Sequence, residues 1–324
     1  MKTQYLMTLV ASLAIGACGG GGGSGNTQTP PPPPAAGLAI TADNAVAATK
    51  ASYEAALGSG SLTDLGNSLG FSASGSSGLA KPAGHVAVNG FIIDVMQKVP
   101  FGPDESPCAV AGSVTISGNI DNPLTLTPGD NFVVESTACD DGLGEVIDGV
   151  ITFTVAAFDG DLLTETFAIS MDAVIDDLQI VSDVDTITSN GDARVSLDTR
   201  DTPLVTTSVS GSSMTTDSNA SADTLRAYST DLTLDGATAV STMVASGSLD
   251  TTRLTGAIDY STPMRFELIG SSYPHIGELL VEGDQSSALL IAVDNVDVRI
   301  EIDLDANGSV DEIVNTTWAE LEGG

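Results

Sequence analysis

Ile151-Thr152-Phe153-Thr154-Val155-Ala156-Ala157 alternates strictly: Ile151, Phe153, Val155 and Ala157 share one face, while Thr152 and Thr154 share the other. A period of two is the mark of a strand with one buried and one wetted side, since successive side chains leave a pleated backbone in opposite directions. Phe167, Ile169 and Met171 repeat the pattern a few residues on. The same texture of short β-branched runs, broken by Gly, Asp and Asn, continues almost to the end of the chain. Further strands are expected near 113–117, 132–136, 193–197, 227–234, 249–258, 265–269, 277–282, 288–293, 296–302 and 312–318. Closely spaced turns with no helical period between them predict an antiparallel meander. A sheet with one apolar face must curl around that face or pack on something. The fold expected is therefore mainly β, a curved sheet or incomplete barrel of roughly a dozen strands by strand-number priors, with one or two N-terminal helices. A β-sandwich is the alternative, because periodicity does not separate the two.

Upstream, Thr41 to Leu57 has a helical composition. Thr41 or Asp43 is placed to cap it, Gly58 to end it, and Ala45, Val46, Thr49, Tyr53 and Leu57 form a narrow apolar stripe expected to dock on the sheet. Residues 59–84 are rich in Gly and Ser and predict loop, and Phe91 to Val99 predicts a short second helix or a strand. Hydrophobic residues make up 42% of the chain but aromatic ones only 4%, so the core is expected to be built from Val, Ile, Leu and Ala. All-β bodies of this length occur as one unit, which makes 38–324 a single β-rich domain.

The formal charge is −33, from 10 basic and 43 acidic residues. Such a polyanion is repelled by phosphate backbones, which excludes nucleic acid as a partner, and favours divalent cations and basic partners. The six arginines from Arg194 to Arg299 are scattered through predicted strands, as expected for residues that neutralise neighbouring aspartates.

Of the three cysteines, Cys108 and Cys139 stand alone in the body and are expected to pair if the compartment is oxidising. The third, Cys18, follows Lys2 and an apolar run from Tyr5 to Ala14 that is too short for a stable membrane span. Residues 1–17 therefore predict a signal peptide. The sequence Ile15-Gly16-Ala17-Cys18 resembles the bacterial lipobox, with an aliphatic residue and two small ones before the cysteine. The resemblance covers only the first eighteen residues. It implies cleavage before Cys18, acylation of that cysteine (palmitate among the acyl chains), and attachment to a membrane by several chains, each buried methylene contributing about 0.8 kcal/mol. Gly19, where a retention signal would place Asp, implies the outer membrane, with the body facing periplasm or cell surface. Residues 18–37 read as a lipidated tether, a Gly-rich coil followed by the stiff run Pro30 to Pro34.

Near the other end, Asp303, Asp305, Asn307, Ser309 and Asp311 place oxygens at positions one, three, five, seven and nine of a loop with Gly308 at six. This resembles the calcium loops of dockerin and thrombospondin modules, in which oxygen ligands wrap the ion and glycine permits the sharp turn. Val314 departs from the pattern at position twelve, where a bidentate Glu belongs. A plain β-hairpin turning at Asn307-Gly308 is the alternative.

Catalytic patterns are sparse: His85 and His275 are the two histidines, and neither belongs to a zinc or nucleophile motif. The expected function is a non-enzymatic envelope lipoprotein that binds a hydrophobic ligand or an envelope partner. A calcium-stiffened surface or adhesive protein is the alternative.

Overall fold

The computed structural model describes residues 37–66, 101–121, 125–140, 142, 144–161, 164, 166–182, 185–219, 221–270 and 273–323. Helix α1 (Ala45–Gly66) precedes fourteen strands. These are β1 (Phe101–Pro107), β2 (Ala111–Asn119), β3 (Asn131–Asp140), β4 (Glu145–Asp161), β5 (Thr166–Ser182), β6 (Thr186–Asp198) and β7 (Leu204–Asp217). They continue with β8 (Ala222–Asp235), β9 (Val240–Thr251), β10 (Ile258–Ile269), β11 (Ile276–Gly283), β12 (Ser286–Ala292), β13 (Asp297–Asp303) and β14 (Glu312–Thr317). A short helix, α2 (Trp318–Gly323), follows. Every strand pairs antiparallel with its neighbours in sequence, giving one sheet in the order β1 to β14 that does not close on itself. The expected meander is present, and a single sheet replaces the sandwich alternative.

One face of the sheet carries the buried, mostly apolar side chains of β2 to β13, yet the longer strands, β4 to β8, do not stay flat or keep a simple alternation. In β5 the buried residues are Phe167, Ile169, Met171, Ala173 and Ile175, then Leu178 and Ile180. The parity changes at Asp177, whose φ of 45° marks a bulge facing Gly149 of β4. One extra residue there returns the remaining side chains to the buried face and adds bend. Ala138 in β3 and Ala227 in β8, at φ of 42° and 44°, do the same.

A bulge leaves backbone N–H groups without ladder partners, and polar side chains of neighbouring strands supply them. The Ala138 amide donates to Asp148 Oδ2 at 2.9 Å, and the Asp177 amide to Asn190 Oδ1 at 2.8 Å. Asp192 accepts from the amides of Ser212 and Ser213 at 2.9 and 3.2 Å, where the β6–β7 register slips. Several acidic residues are thus part of the sheet's backbone accounting.

Glycines paired with aromatics allow the same curvature. Gly211 lies opposite Tyr228, and Gly247 opposite Tyr260. A Cβ at Gly211 would collide with the Tyr228 ring and the Asp192 carbonyl, because the phenol crosses the glycine to donate to that carbonyl at 2.6 Å. The aromatic fills the space a side chain would occupy while the backbone bends.

The buried residues form two clusters. The first is built from strands β2 to β8, from Val114 through Phe153 and Val195 to Tyr228. The second joins α1 to β9–β14 and α2. Helix α1 touches β6 to β9 on one side and β11 to β13 on the other, so the sheet curls around it. Its buried residues include Ala45, Ala48, Ala51, Ser52, Tyr53, Ala55 and Ala56, a far wider surface than the expected stripe, and small side chains are what let strands approach it from several directions.

The helix also starts and ends differently from expectation. It begins after Asn44, whose carbonyl accepts from the Ala48 amide while its side chain ties back to Thr41 and Ala39. It runs through Gly58 to Gly66, so the first part of the expected 59–84 loop is helical. The rest of that loop, and the expected element at Phe91 to Val99, lie outside the described residues.

Tyr53 of α1 meets Trp318 at 4.9 Å and Phe266 at 5.6 Å between ring centroids, and Tyr273 stacks on Trp318 at 5.9 Å. Trp318 is fully buried, and its indole N–H donates to the carbonyls of Pro274 and Asp294 at 3.1 and 3.2 Å. Burial of one such side chain contributes roughly 1.5–3 kcal/mol. This tryptophan seals the core beneath the helix and presents no face to solvent.

Candidate functional site

The β13–β14 hairpin pairs Ile302 with Glu312 at its mouth and holds residues 304–311 as its loop. Within each strand one face belongs to the core, Val298, Ile300 and Ile302 in β13 being buried, and this leaves the loop to project from the sheet. Asp303, half-buried at the end of β13, organises the turn: its Oδ2 accepts from the Gly308 amide at 2.7 Å. Its Oδ1 accepts from the amides of Asn307 and Asp305 at 3.2 and 3.3 Å. Asp311 Oδ2 accepts from the Leu304 amide at 2.9 Å, and Asn307 Oδ1 from the Ser309 amide at 2.8 Å. Ala306 and Gly308 take the left-handed conformation, at φ of 53° and 85°. A Cβ on Gly308 would meet nothing within 4 Å, so the backbone angle rather than crowding calls for glycine there.

The carboxylates of Asp303, Asp305 and Asp311 offer oxygens within 4.8 Å of one another. Burial by itself would raise the Asp303 carboxyl, but the amides of Gly308, Asn307 and Asp305 outweigh it and hold the group below the ordinary carboxylate value. The loop therefore keeps its central charge ionised while three negative groups face one another, an arrangement that a hard divalent cation would relieve. Val314 packs with the helix-side core, so the twelfth position is a core residue and not a ligand. The loop's flanks are strands, as read from the sequence.

Cys108, just after β1, and Cys139, fully buried in β3, form a disulfide with Cα atoms 5.6 Å apart. It spans β2 and ties the edge strand to the one beyond its neighbour. Cys18 and His85 lie outside the described residues. His275 donates its amide to the Glu267 carbonyl, and its ring lies 3.6 Å from the Glu267 carboxylate at the turn into β11.

Five of the six arginines, Arg194, Arg200, Arg253, Arg265 and Arg299, pair with acids, Glu as well as Asp. Arg194 makes a two-pronged contact with Asp172 on the outer face, and Arg200 joins Asp198 and Asp159. One pairing had no local signal in the sequence: Arg253 bridges Glu54 of α1 at 2.6 Å and Asp223 of β8 at 2.9 Å. Burial pushes the Asp223 carboxyl above its ordinary value despite the guanidinium beside it. Residues 199 positions apart in the chain meet there, and only the tertiary fold brings them together.

A scan against protein-family models, a search of curated proteins and a search of solved structures each found no match to this chain.

Proposed function

We propose that this chain is an exported lipoprotein, held at the outer membrane by acyl chains on Cys18, whose β body works by binding another envelope protein rather than by catalysis. The lipobox-like Ile15-Gly16-Ala17-Cys18 supports the anchor, and the Cys108–Cys139 bridge fits an oxidising compartment outside the cytosol. The observation that carries the choice of partner over hydrophobic ligand is helix α1. It lies on the buried face of the sheet against β6 to β9 and β11 to β13, where an apolar ligand would otherwise sit, and it is buried on most of its circumference. The outer face and the strand edges are then the surfaces available for recognition.

Two measurements test this. Replacement C18S is expected to release the protein from the membrane fraction and abolish palmitate labelling; retention with unchanged fractionation removes the anchor. Native mass spectrometry of the purified body is expected to give the bare polypeptide mass, and a stoichiometric co-purified lipid would favour the hydrophobic-ligand reading.

The facing carboxylates of Asp303, Asp305 and Asp311 favour a second reading, in which Ca²⁺ stiffens the C-terminal hairpin of a surface structural or adhesive protein. An ion at a hundred times its dissociation constant would stabilise the fold by about 2.7 kcal/mol. The melting midpoint of wild type is then expected to fall on chelation, while that of the double variant Asp303→Ala, Asp305→Ala does not respond. Equal midpoints for wild type with and without chelator dismiss the ion.

A further inference from the structure

We infer that the sheet stands end-on, with one set of its turns toward the lipid surface and the opposite set held away from it. This rests on the lipid anchor proposed above. In a meander of alternating strands every second turn falls at the same end. The turns β1–β2, β3–β4, β5–β6, β7–β8, β9–β10, β11–β12 and β13–β14 share one end, and the remaining turns share the other. The chain joins the body at the first of these ends. Gly37 bridges Ala257 in the β9–β10 turn, the Leu38 amide donates to the Ala257 carbonyl at 2.9 Å, and the Asp284 amide in the β11–β12 turn donates to the Leu38 carbonyl at 2.8 Å. The Ile40 amide then donates to Ser286 Oγ at 2.6 Å, so the junction is fixed to the sheet before α1 begins.

Cys18 lies nineteen residues before Gly37. Such a segment reaches at most about 65 Å when fully extended, and it pulls only on this end of the body. Both ends carry acids in or beside their turns, Asp185, Asp217, Asp284, Asp303, Asp305 and Asp311 at this one and Asp130, Asp161, Asp198, Asp201, Asp235 and Asp294 at the other. Like charge keeps either end from sinking into an anionic head-group layer, so the point of attachment decides which end faces the lipid. The far end carries the exposed apolar side chains Ile269, Ile276, Val293 and Val296 in and beside the β10–β11 and β12–β13 turns. It is the end that reaches away from the lipid.

The test uses the full acylated chain in vesicles of phosphatidylethanolamine and phosphatidylglycerol containing an energy-acceptor lipid. A donor dye is placed on Q285C, in the β11–β12 turn, or on D294C, in the β12–β13 turn. These positions are the two ends of one strand, about 30 Å apart at ~3.3 Å per residue. Transfer from position 285 is expected to exceed transfer from position 294 severalfold. Equal or reversed transfer on vesicles that float with the protein overturns the orientation and leaves the anchor intact. Failure of the acylated wild type to float with the vesicles overturns both.

Discussion

The two halves of the sheet solve the same problem in different ways. Both present an apolar face that must leave water. Strands β2 to β8 bury it as a cluster of strand side chains, with long strands bent by bulges and a disulfide at the edge. Strands β9 to β14, which shorten from 12 residues to 6 and include a bulged β10, bury it against a helix, sealed by Tyr53, Phe266 and Trp318. Each half has its own aromatics, but they are used differently: Phe132 stacks on Phe153 and Phe158 on Phe167 between strands of the first, whereas those of the second gather on the helix around Trp318. The first half depends on backbone geometry and a covalent link, the second on the fit of one inserted element.

That contrast is open to direct attack. The largest effect is expected from Trp318→Ala, which empties the space under Tyr53 and leaves two carbonyls without their donor. The cost is about 3–5 kcal/mol, read as a lower urea midpoint, and a loss below 1 kcal/mol would mean that the helix is not held by this cluster. Cys108→Ser with Cys139→Ser opens a loop of 31 residues. It should cost about 3–4 kcal/mol on chain-entropy grounds, falling first on the protection of amides in β1 to β3 from hydrogen exchange.

Gly211→Ala should cost about 1–3 kcal/mol by overpacking against Tyr228, whereas Gly102→Ala, where a Cβ meets nothing within 4 Å, should be neutral. Equal effects at the two positions would discard the glycine–aromatic account. The smallest effect concerns pH. Burial would raise the Asp192 carboxyl, but its bonds to Ser212 and Ser213 outweigh that and leave it below the ordinary value of 3.8. A depressed folded value means stability present above that pH and lost as pH falls through the folded value. Asp192→Asn should therefore flatten the acid limb of the stability curve below pH 3.8 without altering its neutral plateau slope.

Much of the sheet could be read from residues such as Ile151, Phe153 and Val155, because a half-buried strand writes its period into the sequence. Strand β7 could not: its inward positions include Thr207 and Gly211 among serines and threonines, so no aliphatic alternation marks it. Strand β1, with Pro103 and Pro107, resembles a loop until β2 and the disulfide hold it in place. The span expected as one strand from Leu249 to Ile258 contains the turn between β9 and β10, with Leu249 and Ile258 buried on either side of it and Leu254 buried within it. Bulges hid the rest, because a shift of parity at Asp177 or Ala227 breaks the pattern that periodicity relies on. In the candidate metal loop the residue spacing was legible and the strand flanks were too, but not the use of Asp303 oxygens by the loop's own amides.

The order of the strands has a consequence for assembly. Each strand adds to the one synthesised just before it, so sheet growth closes only short loops and proceeds by extension from any starting hairpin. Helix α1 is the exception, since it reaches β13 and α2, at the far end of the described chain. Nearly all of the long-range entropic cost is thereby gathered into one docking event, and the last hairpins decide when the helix has somewhere to lie.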